Sequence, residues 1–180
     1  MAIQPSKSTQ PTVVSVIFIG MPGSGKSTLG RILADALTLP FVDTDTLLTN
    51  DLNCSLQDYL DQFGYLALRQ LEQQVILKTP FEHSVVATGG SVVYSASAMQ
   101  YLQQLGTVVY LEVSETELHT RINNLDSRGI ACKPNQSFSD LYQERSQLYR
   151  QYANLTLNTD DESESESLKK LITLINKERK

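Results

Sequence analysis

Gly20 to Gly30 reads GMPGSGKSTLG and follows the apolar run VVSVIFI, Val13 to Ile19, without a break. Gly20, Gly25, Lys26 and Ser27 satisfy the pattern GxxxxGK[ST], and they stand where its mechanism needs them, between a strand and a helix start. Glycines at 20, 23 and 25 let the chain take turns that side chains would block. Successive amide hydrogens then point inward at an anion, helped by the positive end of the following helix. One lysine beside those amides suits the β and γ phosphates of ATP, and the Ser27 hydroxyl suits the Mg2+ ion that bridges them. Gly23, Ser24, Gly25, Lys26, Ser27 and Thr28 are therefore the expected nucleotide-binding set, with Lys26 also catalytic.

Outward from this loop, short apolar runs alternate with helical patterns, the sequence form of a parallel sheet flanked by helices. Strands are expected at Val13 to Ile19, Phe41 to Asp43, Val85 to Thr88, Thr107 to Glu112 and Leu155 to Leu157. The spacing of Leu29, Ile32, Leu33, Ala36 and Leu37 predicts a helix over Ser27 to Leu37, closed off by Pro40. Ser55 can cap a helix that begins LQDYLDQF, with a longer one, YLALRQLEQQVILK, after Gly64. Ser114 with Glu117, and Ser163 with Glu166, have capping-box spacing and predict helices at Glu115 to Asn123 and Glu164 to Lys177.

The bounds agree with one enzyme-sized domain. The chain has 180 residues, 41% hydrophobic and 19% charged, enough for a single core. A net charge of -5 argues against a surface built to grip nucleic acid. Cys54 and Cys132 stand apart, with no CxxC pattern and no His cluster, so neither a disulfide framework nor a zinc site is expected. No run approaches the roughly 18 apolar residues of a membrane span. The first twelve residues, MAIQPSKSTQPT, are polar and read as a disordered tail ahead of a domain over 13–180. The expected setting is cytoplasmic, and the expected state a monomer.

A nucleotide loop does not name a reaction, because switches, motors and small kinases share it. In FVDTDT, Asp43 and Asp45 lie two residues apart, and on an extended chain they would face one side at the carboxyl end of the sheet. Asp43 can hold magnesium there, and Asp45 can take a hydrogen bond or proton from an attacking alcohol. Gly89 and Gly90 in ATGG either let a ligand approach the backbone or form an ordinary turn. Arg69 precedes Glu72 by three residues, so it either forms a surface pair with it or forks onto a substrate carboxylate. His83 and His119 have no motif partner, and neither is expected to be catalytic.

The loop, FVDTD, LRQLE, ATGG, VVYLEV and ERSQLY occur in an order that closely resembles the shikimate kinase family, from Val13 to the C-terminal helix. The resemblance implies a three-layer α/β/α P-loop NTPase fold of the nucleoside monophosphate kinase type, with a five-stranded parallel sheet and a mobile lid at about 125–137. It implies transfer of the ATP γ-phosphoryl group to the 3-hydroxyl of shikimate in aromatic amino-acid biosynthesis. By the same resemblance Asp45 meets the substrate hydroxyls and Asp43 the metal, while Arg69 and Arg145 take the carboxylate. Gly89 and Gly90 then belong to a glycine motif, Arg128 is the lid arginine near the transferring phosphoryl, and Arg121 packs on adenine.

Two departures bear on the acceptor. Ser91 stands where the family usually has a third glycine, and Arg128-Gly129-Ile130-Ala131 replaces the usual arginine followed by Pro-Leu-Leu. The arginine pair argues for a small carboxylate-bearing alcohol, a description that homoserine also meets. A third reading, a nucleotide-binding regulatory protein without transfer chemistry, is opposed by Lys26, Ser27, Asp43, Asp45 and Arg128 standing together. Tyr142, Tyr149 and Tyr152 fall near one helix face and are expected to pack under the lid.

Overall fold

Strand β1, Ser15–Ile19, is buried along its whole length, and its side chains alternate between two separate cores. Val16 and Phe18 join one, Ile17 and Ile19 the other. A strand covered on both faces is continuously apolar, which is why VIFI carries no polar alternation. The computed structural model describes residues 14–52, 54–122 and 130–178. The expected N-terminal tail, Val13, and 125–129 of the expected lid with Arg128 lie outside the described residues.

Five parallel strands, β1 with β2 (Phe41–Asp43), β3 (Val85–Ala87), β4 (Gly106–Glu112) and β5 (Leu155–Asn158), form one sheet in the order β2-β3-β1-β4-β5. Every connection therefore crosses over a face, and all five strands end at the same edge. Helices α1 (Lys26–Leu37) and α7 (Glu164–Glu178) cover one face, where Leu29, Leu33, Leu171 and Ile175 meet Val16, Phe18 and Val109. The other face is covered by α3 (Leu56–Lys78), α4 (Ala96–Leu105), α5 (Glu115–Arg121) and α6 (Phe138–Tyr152), through residues such as Ile76, Met99, Leu118 and Tyr149. This is the expected three-layer arrangement.

Caps place the helix starts. Ser55 with Asp58 and Ser137 with Asp140 form complete capping boxes, and Ser163 with Glu166 exchanges the same two bonds. Gly64, at φ 81° and ψ 168°, kinks α3 where the sequence divides two helical stretches. The helix after Ser114 ends at Arg121, two residues before the expected Asn123, which itself lies outside the described residues.

Two helices were not expected. Helix α2, Thr44–Leu52, buries only Thr44 and Leu48, too little apolar spacing to announce itself. Helix α4 carries a legible signal, Ser95 as its cap ahead of Ala98, Met99 and Leu102. No helix among the described residues is long and apolar enough to cross a membrane.

Leu33 has no exposed surface and sits between α1 and the sheet. Leu33→Ala should cost about 3 kcal/mol in urea unfolding, the transfer and cavity cost of a buried leucine. A loss below about 1 kcal/mol would contradict this packing of α1.

Candidate active site

The loop between β1 and α1 needs glycine at position 23. Its φ is 81°, and a Cβ there would stand 2.5 Å from the Ile122 side chain. Helix α1 starts immediately after the loop, so its positive end and free amides face the same space. Lys26 is buried beneath the loop and donates from Nζ to the Gly20 carbonyl at 2.9 Å and the Met21 carbonyl at 2.8 Å. The loop is thus held in shape by the lysine that would serve the phosphates.

Ser27 Oγ donates to Asp43 Oδ2 at 2.6 Å, and the other Asp43 oxygen accepts from the Asp45 amide at 3.0 Å. The chain is not extended here. It turns into α2 at Thr44, so Asp45 enters the first turn of a helix, which corrects the expectation of two aspartates on one side of a strand. Asp43 ends β2 and reaches back to Ser27, whereas Asp45 lines the cavity beside the loop. Ser27 and Asp43 offer two adjacent hard oxygens, which fits a magnesium ion that takes its remaining ligands from water and phosphate. Among the described residues, no group of three or more His, Cys, Asp or Glu gathers around a common metal position.

The cavity has a volume of about 460 Å³ and runs from the phosphate loop past Asp45, Glu72 and Gly89 to Arg145. Asp45 is exposed at the cavity, yet protein crowds its carboxylate. Burial pushes its pKa up, Lys26 opposes this and Asp43 adds to it.

Gly89 explains itself by close approach: a Cβ there would stand 2.5 Å from Glu72 Oε1 and 2.9 Å from Asp45 Oδ1. Its amide donates to Thr44 Oγ1 at 3.0 Å, tying the end of β3 to the start of α2. The Gly90 carbonyl accepts from Tyr149 Oη at 2.6 Å. Tyr149 is fully buried and stacks on Tyr110 at 5.1 Å, in a core cluster against which Tyr142, Tyr152 and the lid-end residues Ile130 and Cys132 also pack.

Arg69 on α3 and Arg145 on α6 come together although 76 positions separate them. Their Nη2 atoms donate to one acceptor, the Ala131 carbonyl, at 3.0 and 2.8 Å. Both guanidiniums flank the Tyr94 ring, with Cζ at 3.5 and 5.5 Å from its centroid. The pair thus presents two donors to a single oxygen. Burial pushes the Arg69 pKa down, and Arg145 adds to that.

The alternative surface pair of Arg69 with Glu72 does not form. Glu72 is 8% exposed and shares a stripe of α3 with Leu68, Val75 and Ile76, so it points inward. Ser91 Oγ donates to Glu72 Oε2. Burial raises the Glu72 pKa to about 7, Asp45 adds to the rise, and Ser91, Arg145 and Arg69 oppose it. Its place was legible from the helical spacing of that stripe, since position 72 falls on the apolar face.

Arg121 is held by contacts of its own. It donates from Nε to Glu117 at 2.8 Å and from Nη2 to the Thr159 carbonyl at 2.7 Å. It borders a second cavity of about 380 Å³, shared with Gly23, Ser24, Gly25, Thr28 and Leu111, at the outer side of the phosphate loop. Among the described residues, Lys26, Ser27, Thr28, Asp45, Gly89, Gly90, Arg121 and Arg145 all border the main cavity, and Arg69 reaches its wall through Ala131.

Known proteins resemble this chain over most of its length. The shikimate kinase family model matches residues 22–176. A shikimate kinase of Paracidovorax citrulli is 37% identical over 152 residues, 82% of this chain and 83% of that protein. One from a Sulfurihydrogenibium species is 33% identical over 162 residues, covering 89% and 97%. The structure of a shikimate kinase from Acinetobacter baumannii in complex with shikimate superposes with a TM-score of 0.81 at 26% identity, covering 93% of this chain and 95% of that one.

Proposed function

The chain belongs to the shikimate kinase family, and we propose that it transfers the γ-phosphoryl group of ATP to the 3-hydroxyl of shikimate. The observation that carries the reading is one cavity holding a phosphate loop at one end and a two-arginine oxygen site at the other, with Asp45 on its wall. Such a cavity suits an acceptor with a hydroxyl at one side and a carboxylate at the other. The Ala131 carbonyl oxygen stands in for one oxygen of that carboxylate.

In this reading the loop amides and the α1 N-terminus hold the ATP phosphates, and Lys26 turns from the Gly20 and Met21 carbonyls to the β and γ oxygens. Ser27 and Asp43 would hold magnesium, which when bound neutralises charge on those phosphates. Asp45 accepts the hydrogen bond of the attacking hydroxyl and orients it towards the phosphoryl group. Arg69 and Arg145 fix the far end of the ring, so the reacting oxygen is presented in line. Arg121 packs on the base at the second cavity, Arg128 supports the transferring phosphoryl, and 125–137 serves as lid of a single kinase domain.

ADP release in a coupled assay, with shikimate, homoserine, quinate and nucleoside monophosphates as acceptors, tests the proposal. Shikimate should give the highest kcat/KM. A higher value for homoserine, or ADP release that no acceptor stimulates, would overturn it.

Arg69→Lys keeps charge but loses the planar fork, and a contact made equally in ground and transition states acts through KM. The shikimate KM should rise about tenfold, with kcat and the ATP KM within about threefold of the parent. An unchanged shikimate KM would remove Arg69 from the carboxylate site.

A further inference from the structure

Ser91 begins a single 3-10 turn, Val92–Tyr94, and a serine there would ordinarily turn its hydroxyl onto the backbone of that turn. It does not. The side chain makes no capping bond and instead donates to Glu72 Oε2 across the cavity wall. The backbone does not call for serine either, since φ -96° and ψ -2° suit alanine or glycine equally. Ser91 is 4% exposed, so its hydroxyl is committed to the partner it has.

That partner is a carboxylate at a crowded junction. With Oε2 engaged by Ser91, Oε1 is the oxygen that lies over Gly89, close to the same point as Asp45 Oδ1. The charged groups around Glu72 are Asp45 from α2, Arg69 from its own helix α3 and Arg145 from α6. Glu72 and Ser91 also border a further cavity of about 350 Å³ beside Arg69 and Tyr94, so the bonded pair forms part of the wall between two spaces. A glutamate without Ser91 would be free to swing towards either.

We propose that Ser91 is a positioning residue for the acceptor: its hydroxyl fixes Glu72 so that the free carboxylate oxygen, beside Asp45, receives a second hydroxyl of the acceptor, next to the one phosphorylated. This rests on the reading of the acceptor as shikimate. The chemistry is a charge-assisted hydrogen bond, made by an ionised Glu72 and strengthened by its burial. Donation from Ser91 stabilises the ionised form, so its loss raises the Glu72 pKa further above about 7 and leaves less of the carboxylate charged at neutral pH.

The test uses the full chain with magnesium and ATP. Ser91→Ala and Ser91→Gly should each raise the shikimate KM about tenfold and leave kcat within about threefold, the value of one charge-assisted bond. The acid limb of kcat/KM should move to higher pH in both, with activity partly recovered at about pH 9. Glu72→Gln should raise the same KM, and adding Ser91→Ala to it should change the KM less than about twofold, because Ser91 acts through Glu72.

Unchanged KM and pH profile in both hydroxyl-less variants, or full additivity with Glu72→Gln, would overturn the proposal. A carbon-13 titration of the Glu72 carboxyl in the parent and in Ser91→Ala keeps this distinct from the acceptor reading. If the parent does not turn over shikimate, the acceptor reading fails. An upward-shifted Glu72 in Ser91→Ala still supports the positioning contact, and an unshifted one overturns it.

Discussion

Lys26→Ala is expected to lower kcat by about three orders of magnitude, the cost of removing a preorganised charge from developing phosphoryl charge. The transition state spreads negative charge over oxygens that the loop amides alone cannot neutralise, and Lys26 would supply the positive charge they need. A second effect concerns the loop itself. Lys26 Nζ bonds the Gly20 and Met21 carbonyls at 2.9 and 2.8 Å, so the variant also loses the internal support of the loop. ATP affinity should therefore fall too, while far-ultraviolet circular dichroism stays that of the parent, because the sheet and both cores do not depend on this contact. Stopped ADP release with saturating shikimate measures the first effect and nucleotide titration the second. A folded variant that turns over within a few-fold of the parent would show that this loop does not carry phosphoryl transfer.

Asp45→Asn should lower kcat by about 10² to 10⁴-fold, the range for loss of a positioned base, with the shikimate KM within about threefold. Asparagine retains the size and some hydrogen bonding of aspartate, so binding survives. It lacks the charge that draws the hydroxyl proton. Thr44 and Gly89 hold the start of α2 through their own bond, so the substitution should leave that turn in place. A variant with unchanged kcat and a raised KM would make Asp45 a binding residue only, and the proton acceptor would have to be sought elsewhere.

These two residues also mark where the sequence spoke and where it did not. Lys26 was legible because its setting is local: six residues of loop, a strand before and a helix after, all within one short stretch. The layers were legible for a related reason, since β1 and β4 are buried on both faces and carry the unbroken apolar runs VIFI and VVYL.

Asp45 borders the cavity by a route other than the expected one. An extended chain was expected through FVDTD, but Asp43 accepts the Asp45 amide and starts a helix, an interaction between side chain and backbone that periodicity does not encode. Arg145 was reached only through family resemblance. Its neighbours on α6 include Arg150, a residue of the same type that pairs with Glu112 at the surface. What separates the two is the stripe Leu141, Arg145, Tyr149, buried against the sheet and the turn after β3. Glu72 occupies the equivalent kind of position on α3. A charged residue on an apolar helical stripe was the common signal, and it required knowing which stripe faced the cavity. The meeting of Arg69 with Arg145 at the Ala131 carbonyl depends on α3, α6 and the segment before α6 at once, which no local pattern contains.

In the proposed reading, one cavity delivers the γ-phosphoryl group of ATP to the 3-hydroxyl of shikimate. Phosphorus-31 NMR of the reaction mixture, correlated to the ring protons, reads that directly. One new phosphomonoester signal, coupled to the proton at carbon 3 and growing in step with ADP, is expected. Inorganic phosphate as the sole product, or a phosphoryl group coupled to another ring position, would contradict it.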